Sequence, residues 1–120
     1  MNRRTIMQRS IRGISAVSAL AIGAVSHAAG SYSGTVSSVQ GYGESYSAVF
    51  VGLSGTITGT PPSCATQNTR FVISPSTPAG TALLAIVLSA VARGVPVTIT
   101  GSATCELWGD TESILFLASN

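Results

Sequence analysis

The chain contains no lysine and one histidine, His27, and charged residues make up only 8% of its 120 positions. Each shortage removes a class of chemistry. Without lysine there is no side-chain amine for a Schiff base and no lysine for a phosphate-binding P-loop. His27 falls in a leader that reads as removed on export, so no imidazole is left to activate a Ser or Cys nucleophile or to ligate a metal. Any catalysis would have to run on carboxylates, tyrosines or arginine. Apolar runs are short too: Ile14 to Val25 is about twelve residues, too few to span a hydrocarbon core of roughly 30 Å.

The leader is read from three features in order. Arg3, Arg4, Arg9 and Arg12 form a basic stretch, the apolar run follows, and "SHA" supplies small residues at Ser26 and Ala28 before a cut. This predicts a signal peptide over 1–28 and an exported chain over 29–120, sent to the periplasm or beyond the cell. The general secretion route fits best, and the Arg3-Arg4 pair leaves a twin-arginine route as the alternative.

Removing the leader inverts the charge. The full chain has a net charge of +2, but residues 29–120 hold Arg70 and Arg93 against Glu44, Glu106, Asp110 and Glu112, a net −2. No basic patch survives to neutralise phosphates, which excludes nucleic acid as a partner. Cys64 and Cys105 are an even pair in an exported domain, so they predict one disulfide. Two reactive thiols are the alternative, but neither lies near a lysine or histidine that would lower its pKa.

One domain fills residues 29–120, with no repeat. "YSGTVSSV" and "SYSAVFVGL" read as strands around a turn at "QGYGES", and the second strand is apolar on both faces. A short extension around Ile57 leads to the Pro61-Pro62 loop that carries Cys64, and "RFVIS" is a further strand. Thr77 as N-cap, Pro78 at the first helical position and Gly94 past the end bracket a helix. "AIVL" within it is β-branched enough to suit a strand, but the unbroken length to Arg93 favours helix. "VPVTITG", which Pro96 can only begin, and "SILFLA" complete the chain. The order β-β-β-α-β-β predicts a mainly β domain with one central helix, a small OB-like barrel, with an α+β sandwich as the alternative.

At about 100° per residue, Leu83, Leu84, Ile86, Val87, Leu88 and Val91 cover roughly 200° of the helix and predict its inward face. Thr81, Ala85, Ser89 and Ala92 are left over, uncharged. They form either a lightly polar outer strip or the contact of a homo-oligomer. The helix is too short to span a membrane.

The proline-then-cysteine loop "TPPSC", "RFVIS", "LLAIVLSAVARGVPVTITGSATC" and "WGDTE" together resemble short, uncharacterised secreted proteins of bacteria that share a C…GxPVxIxGxxxCxxWxDxE pattern. That resemblance carries no activity with it. The helix followed by "GVPVTITG" is also similar to the OB-fold B subunit of subtilase cytotoxin. It implies a barrel, oligomerisation around the helices and glycan binding, with no glycan-contacting residue that transfers to a position here.

"TCELWGDTE", residues 104–112, concentrates the only tryptophan and three of the four acids of the exported chain. Glu106, Asp110 and Glu112 supply oxygen atoms of the kind Ca²⁺ takes, but without EF-hand spacing. Two of them would suit glycoside hydrolysis if they flanked a cleft, for which this domain has little room. Trp108 stacked on a sugar face, with Asp110 and Glu112 accepting hydroxyl bonds, needs no catalytic machinery. The plainest reading is a turn with Gly109 in an αL or similar conformation, Asp110 bonded to its own backbone and Trp108 covering the barrel end next to the disulfide. Trp108, Asp110, Glu112 and, in the "QGYGES" turn, Tyr42 are the candidate ligand-binding residues. No metal or cofactor is expected. The expected function is a non-catalytic exported module that binds a glycan or a secreted protein, and the alternative is a small carboxylate-based hydrolase or metal-dependent enzyme.

Overall fold

The computed structural model describes residues 28–120. The leader reading falls on residues 1–28 and so lies almost wholly outside the described residues. Within them the chain is mainly β, with one helix and two antiparallel sheets. In chain order the elements are β1 (Gly30–Gly34), β2 (Val36–Tyr42), β3 (Ala48–Leu53), β4 (Thr58–Gly59), β5 (Arg70–Ile73), α1 (Pro78–Arg93), β6 (Val97–Gly101) and β7 (Ile114–Ser119). One sheet runs β4-β1-β6-β7 and the other β2-β3-β5.

The first expected strand is divided at Thr35, where the chain leaves one sheet and enters the other. Tyr32 pairs with Ile99 of β6, whereas Val36 pairs with Leu53 of β3. A second link joins the sheets through a parallel bridge between Val72 and Ser113, made by the Val72 N–H donating to the Glu112 carbonyl at 3.1 Å. Strand pairing does not otherwise run unbroken around the molecule.

The helix begins and ends on the residues that predict it. The Thr77 hydroxyl accepts from the Gly80 N–H at 2.9 Å, Pro78 follows, and Gly94 stops the helix at φ 67°, a left-handed geometry that glycine adopts without steric cost. Arg93 lies in the last turn, where a cation suits the helix dipole. The width of the inward face differs from expectation. Val87 and Ala90 are buried with Leu83 and Ile86 against the core, whereas Leu88 is 50% and Val91 46% exposed. The body is too small to cover a 200° arc, and only the stripe at spacings of three and four residues reaches the sheets.

The main core joins Val51, Leu53, Phe71 and Ile73 of the three-stranded sheet to Tyr32, Val97, Ile99 and Leu117 of the other. β3 is buried on both faces, because Ala48 and Phe50 form a second, smaller cluster with Val72. Cys64 and Cys105 are bonded, which ties the β4–β5 loop to the β6–β7 loop. A closed loop of that length is worth about 4 kcal/mol of unfolded-state entropy.

Candidate functional site

The second cluster lies on the outer face of the three-stranded sheet, and the site is built upon it. Phe50 alternates with Val51 along β3, so it points away from the main core, and a bare aromatic ring there needs cover. Trp108 provides it from the 105–110 loop, edge to face at a centroid distance of 4.9 Å and 86°. Tyr42, at the end of β2, stacks on Trp108 at 5.1 Å and 16° and meets Phe50 at 5.8 Å. Tyr46, across the hairpin, leans on both Tyr42 at 5.7 Å and Trp108 at 5.8 Å.

These rings are not equally available. Trp108 is half-buried, while Tyr42 is 52% and Tyr46 65% exposed. The surface offered outward is therefore mostly tyrosine, on a tryptophan and phenylalanine base. The hairpin that holds it is strained, since Glu44 at φ 58° and Ser47 at φ 47° both occupy the left-handed region that disfavours side chains.

Arg70 closes the cluster from the other side. Its guanidinium carbon lies 4.2 Å from the Phe50 centroid, its Nε donates to the Thr111 hydroxyl at 3.0 Å, and its Nη2 donates to Asp110 Oδ1 at 3.1 Å. The Thr111 hydroxyl also donates to Asp110 Oδ1 at 2.9 Å. The Thr111 bond foremost, then the Arg70 hydrogen bond and charge, hold the Asp110 carboxyl below its ordinary value, against a partial desolvation that acts the other way.

The structure thus brings Trp108, Asp110 and Tyr42 together and sends Glu112 elsewhere. Glu112 is completely buried, and its carboxylate accepts from the N–H groups of Gly30 and Ala103 on the far side of the segment. Among the described residues no three of Asp, Glu, Cys and His come close enough to hold a metal. The turn itself also departs from expectation. The Thr111 N–H donates to the Trp108 carbonyl at 3.0 Å, which closes the turn without placing Gly109 at positive φ.

Tyr46, Phe50 and Arg70 pack into the same cluster as Tyr42 and Trp108, although the sequence does not offer them as candidates. The period of two in "YSAVF" puts Tyr46, Ala48 and Phe50 on one face, and that was the available signal. An open groove of about 550 Å³ runs along β1 beside Ser31, Ser33, Thr35, Ser54, Thr56 and Thr58. Its hydroxyls are partly spent on one another, as between Thr35 and Ser54 at 2.9 Å. No protein-family model matches the chain, and neither the curated proteins nor the solved structures include a match.

Proposed function

We propose that the protein is an exported, non-catalytic binding module with an OB-like half-closed barrel, whose tyrosine surface takes a glycan. The observation that carries the reading is the pair Tyr42 and Tyr46, left more than half exposed on a hairpin with two strained residues and backed by Trp108 and Phe50. Large rings that a fold leaves in water, packed against one another and a tryptophan, suit a ligand with a flat apolar face and hydroxyls at its rim. A pyranose has both. The cross-braced Arg70 and Asp110 supply polar groups at the edge of the rings.

The barrel part of the reading is supported by the ring-like order of contacts: β2-β3-β5, the parallel bridge to the start of β7, then β6 and β1, with β1 and β2 separated only by Thr35. Export is supported by the disulfide, which fits an oxidising compartment, periplasmic or extracellular. Among the described residues no helix is long and apolar enough to cross a membrane. Self-association through Thr81, Ala85, Ser89 and Ala92 is part of the same proposal. That strip is exposed and adjoins Leu88 and Val91, whose exposure gives it an apolar margin.

The test is a glycan array probed with the exported protein and with Tyr42→Ala and Tyr46→Ala, together with chromogenic glycosides. Retention lost in both variants, without turnover, supports the module. Turnover that survives purification would replace it with the carboxylate hydrolase, and retention unchanged in both variants would move the ligand elsewhere. Light scattering on the wild type and Ala85→Glu tests the contact between copies, which a monomeric wild type ends.

A further inference from the structure

A fully buried carboxylate with no cation beside it is costly, and among the described residues Glu112 is such a group. The only cationic side chains among the described residues are engaged elsewhere: Arg70 with Asp110 and Thr111, and Arg93 with Ser89 and Ser119. Yet the protein is shaped around this carboxylate. A Cβ on Gly101 would collide with it, and a Cβ on Gly30 would lie 2.6 Å from its Oε1. Ala103 takes φ 71°, unfavourable for alanine, and donates its N–H to Oε2 at 2.9 Å. The Gly30 N–H spans both oxygens at 3.1 and 3.2 Å.

Gly30 is one residue from the cut expected after Ala28. Successive backbone nitrogens are at most about 3.7 Å apart, so the Ala29 nitrogen stands within about 7 Å of the carboxylate. The Ala29 carbonyl is held by the Thr60 N–H at 3.0 Å, and the Gly30 N–H is held by Glu112 itself. Between these two anchors only the Ala29 Cα–C bond has to turn to swing the nitrogen alongside that of Gly30. Before the cut that nitrogen is an uncharged amide; peptide hydrolysis adds water across the Ala28–Ala29 bond and leaves an ammonium on Ala29.

We infer that Glu112, with Gly30, Gly101 and Ala103, forms an internal receptor for the α-ammonium group that processing creates at Ala29, so that removal of the leader locks the fold. The inference rests on the export reading and on nothing at the tyrosine surface.

Because the chain has no lysine, Ala29 carries the sole primary amine of the processed protein, and an amine-selective reagent reads it alone. The experiment measures the acetylation rate by N-hydroxysuccinimidyl acetate near neutral pH for three exported proteins: the wild type, Glu112→Gln, and a chain with Gly-Ser inserted after Ala28. A paired ammonium gives up its proton less readily, so the wild type is expected to react about tenfold more slowly than either variant. If Glu112→Gln does not fold, the inserted chain keeps the carboxylate and displaces the amine, and serves alone. The acetylated wild type should also unfold at a lower denaturant concentration than the unmodified protein. Equal rates in the wild type and the inserted chain overturn the receptor. Intact mass separates the two steps, because an exported chain that starts elsewhere overturns the processing step, whereas equal rates in a chain that does start at Ala29 overturn the pairing alone.

Discussion

Asp110 and Glu112 stand two residues apart in one segment, and the fold treats them in opposite ways. Asp110 lies at the surface against the Arg70 guanidinium and the Thr111 hydroxyl, with 43% of its side chain exposed. Glu112 lies in the interior, held by main-chain N–H groups alone. Thr111 stands between them, buried, with its hydroxyl turned to Arg70 and Asp110. Identical formal charge therefore says little about role. What separates the two is which partners the backbone offers: a strand-borne arginine over an aromatic ring on one side, and two glycines that let main chain approach on the other.

The largest effect is expected at the buried member. Glu112→Ala leaves the N–H groups of Gly30 and Ala103 without their acceptor and opens a void between Gly30 and Gly101, at a cost of about 4 to 5 kcal/mol. Denaturant unfolding measures it. A loss below about 1 kcal/mol would mean that water replaces the carboxylate readily and that the contrast with Asp110 is superficial.

Reduction of the disulfide comes next, at about 4 kcal/mol by loop entropy. Cys105 lies between Ala103, which serves Glu112, and Trp108, which serves the rings, so the bridge holds both regions at once. Cys64→Ser with Cys105→Ser should lower the unfolding midpoint and alter the fluorescence of the one tryptophan. An unshifted emission with a lowered midpoint would show that the aromatic region stays in place without the bridge.

Trp108→Ala should cost about 2 to 3 kcal/mol, less than a fully buried ring, because one edge is in solvent while Phe50 and Tyr42 lose their contact. Thermal unfolding reads the loss. If the cost approaches that of Glu112→Ala, the surface is as structural as the socket and the case for a ligand weakens.

The parts legible in the sequence were those set by local chemistry. Thr77, Pro78 and Gly94 bracket the helix in sequence and structure alike, the cysteine pair forms the bridge, and β6 starts directly after Pro96. The parts that were hidden depend on distant partners. Tyr42 and Trp108 are far apart in the chain, and nothing in "QGYGES" or "ELWGDTE" alone says that they stack. Glu112 looks like a third surface acid until Gly30 and Gly101 are seen against it. The buried helix face is narrower than its apolar arc because periodicity reports which residues share a side and carries no information on how wide a partner that side will meet; Leu88 and Val91 are the residues left over.

The smallest effect belongs to Asp110, and it has a sign that pH reveals. Its carboxyl is held below the ordinary value of 3.8 by the Thr111 hydroxyl first and by Arg70 after it. A group whose folded-state pKa is depressed favours the fold when ionised, so its contribution is complete above the unfolded value and is lost as pH falls through the lower, folded one. Asp110→Asn should therefore be less stable than the wild type at neutral pH, with the gap closing on the acid side of 3.8. The gap should also narrow in high salt, since the pair is open to solvent. Urea midpoints for both proteins at a series of pH values and at two salt concentrations decide it. A gap that persists unchanged into strong acid would mean that the turn needs the acceptor oxygens of Asp110 and not their charge. Arg70 would then be held by Phe50 and Thr111 alone, and the surface acid would be as independent of its cation as Glu112 is among the described side chains.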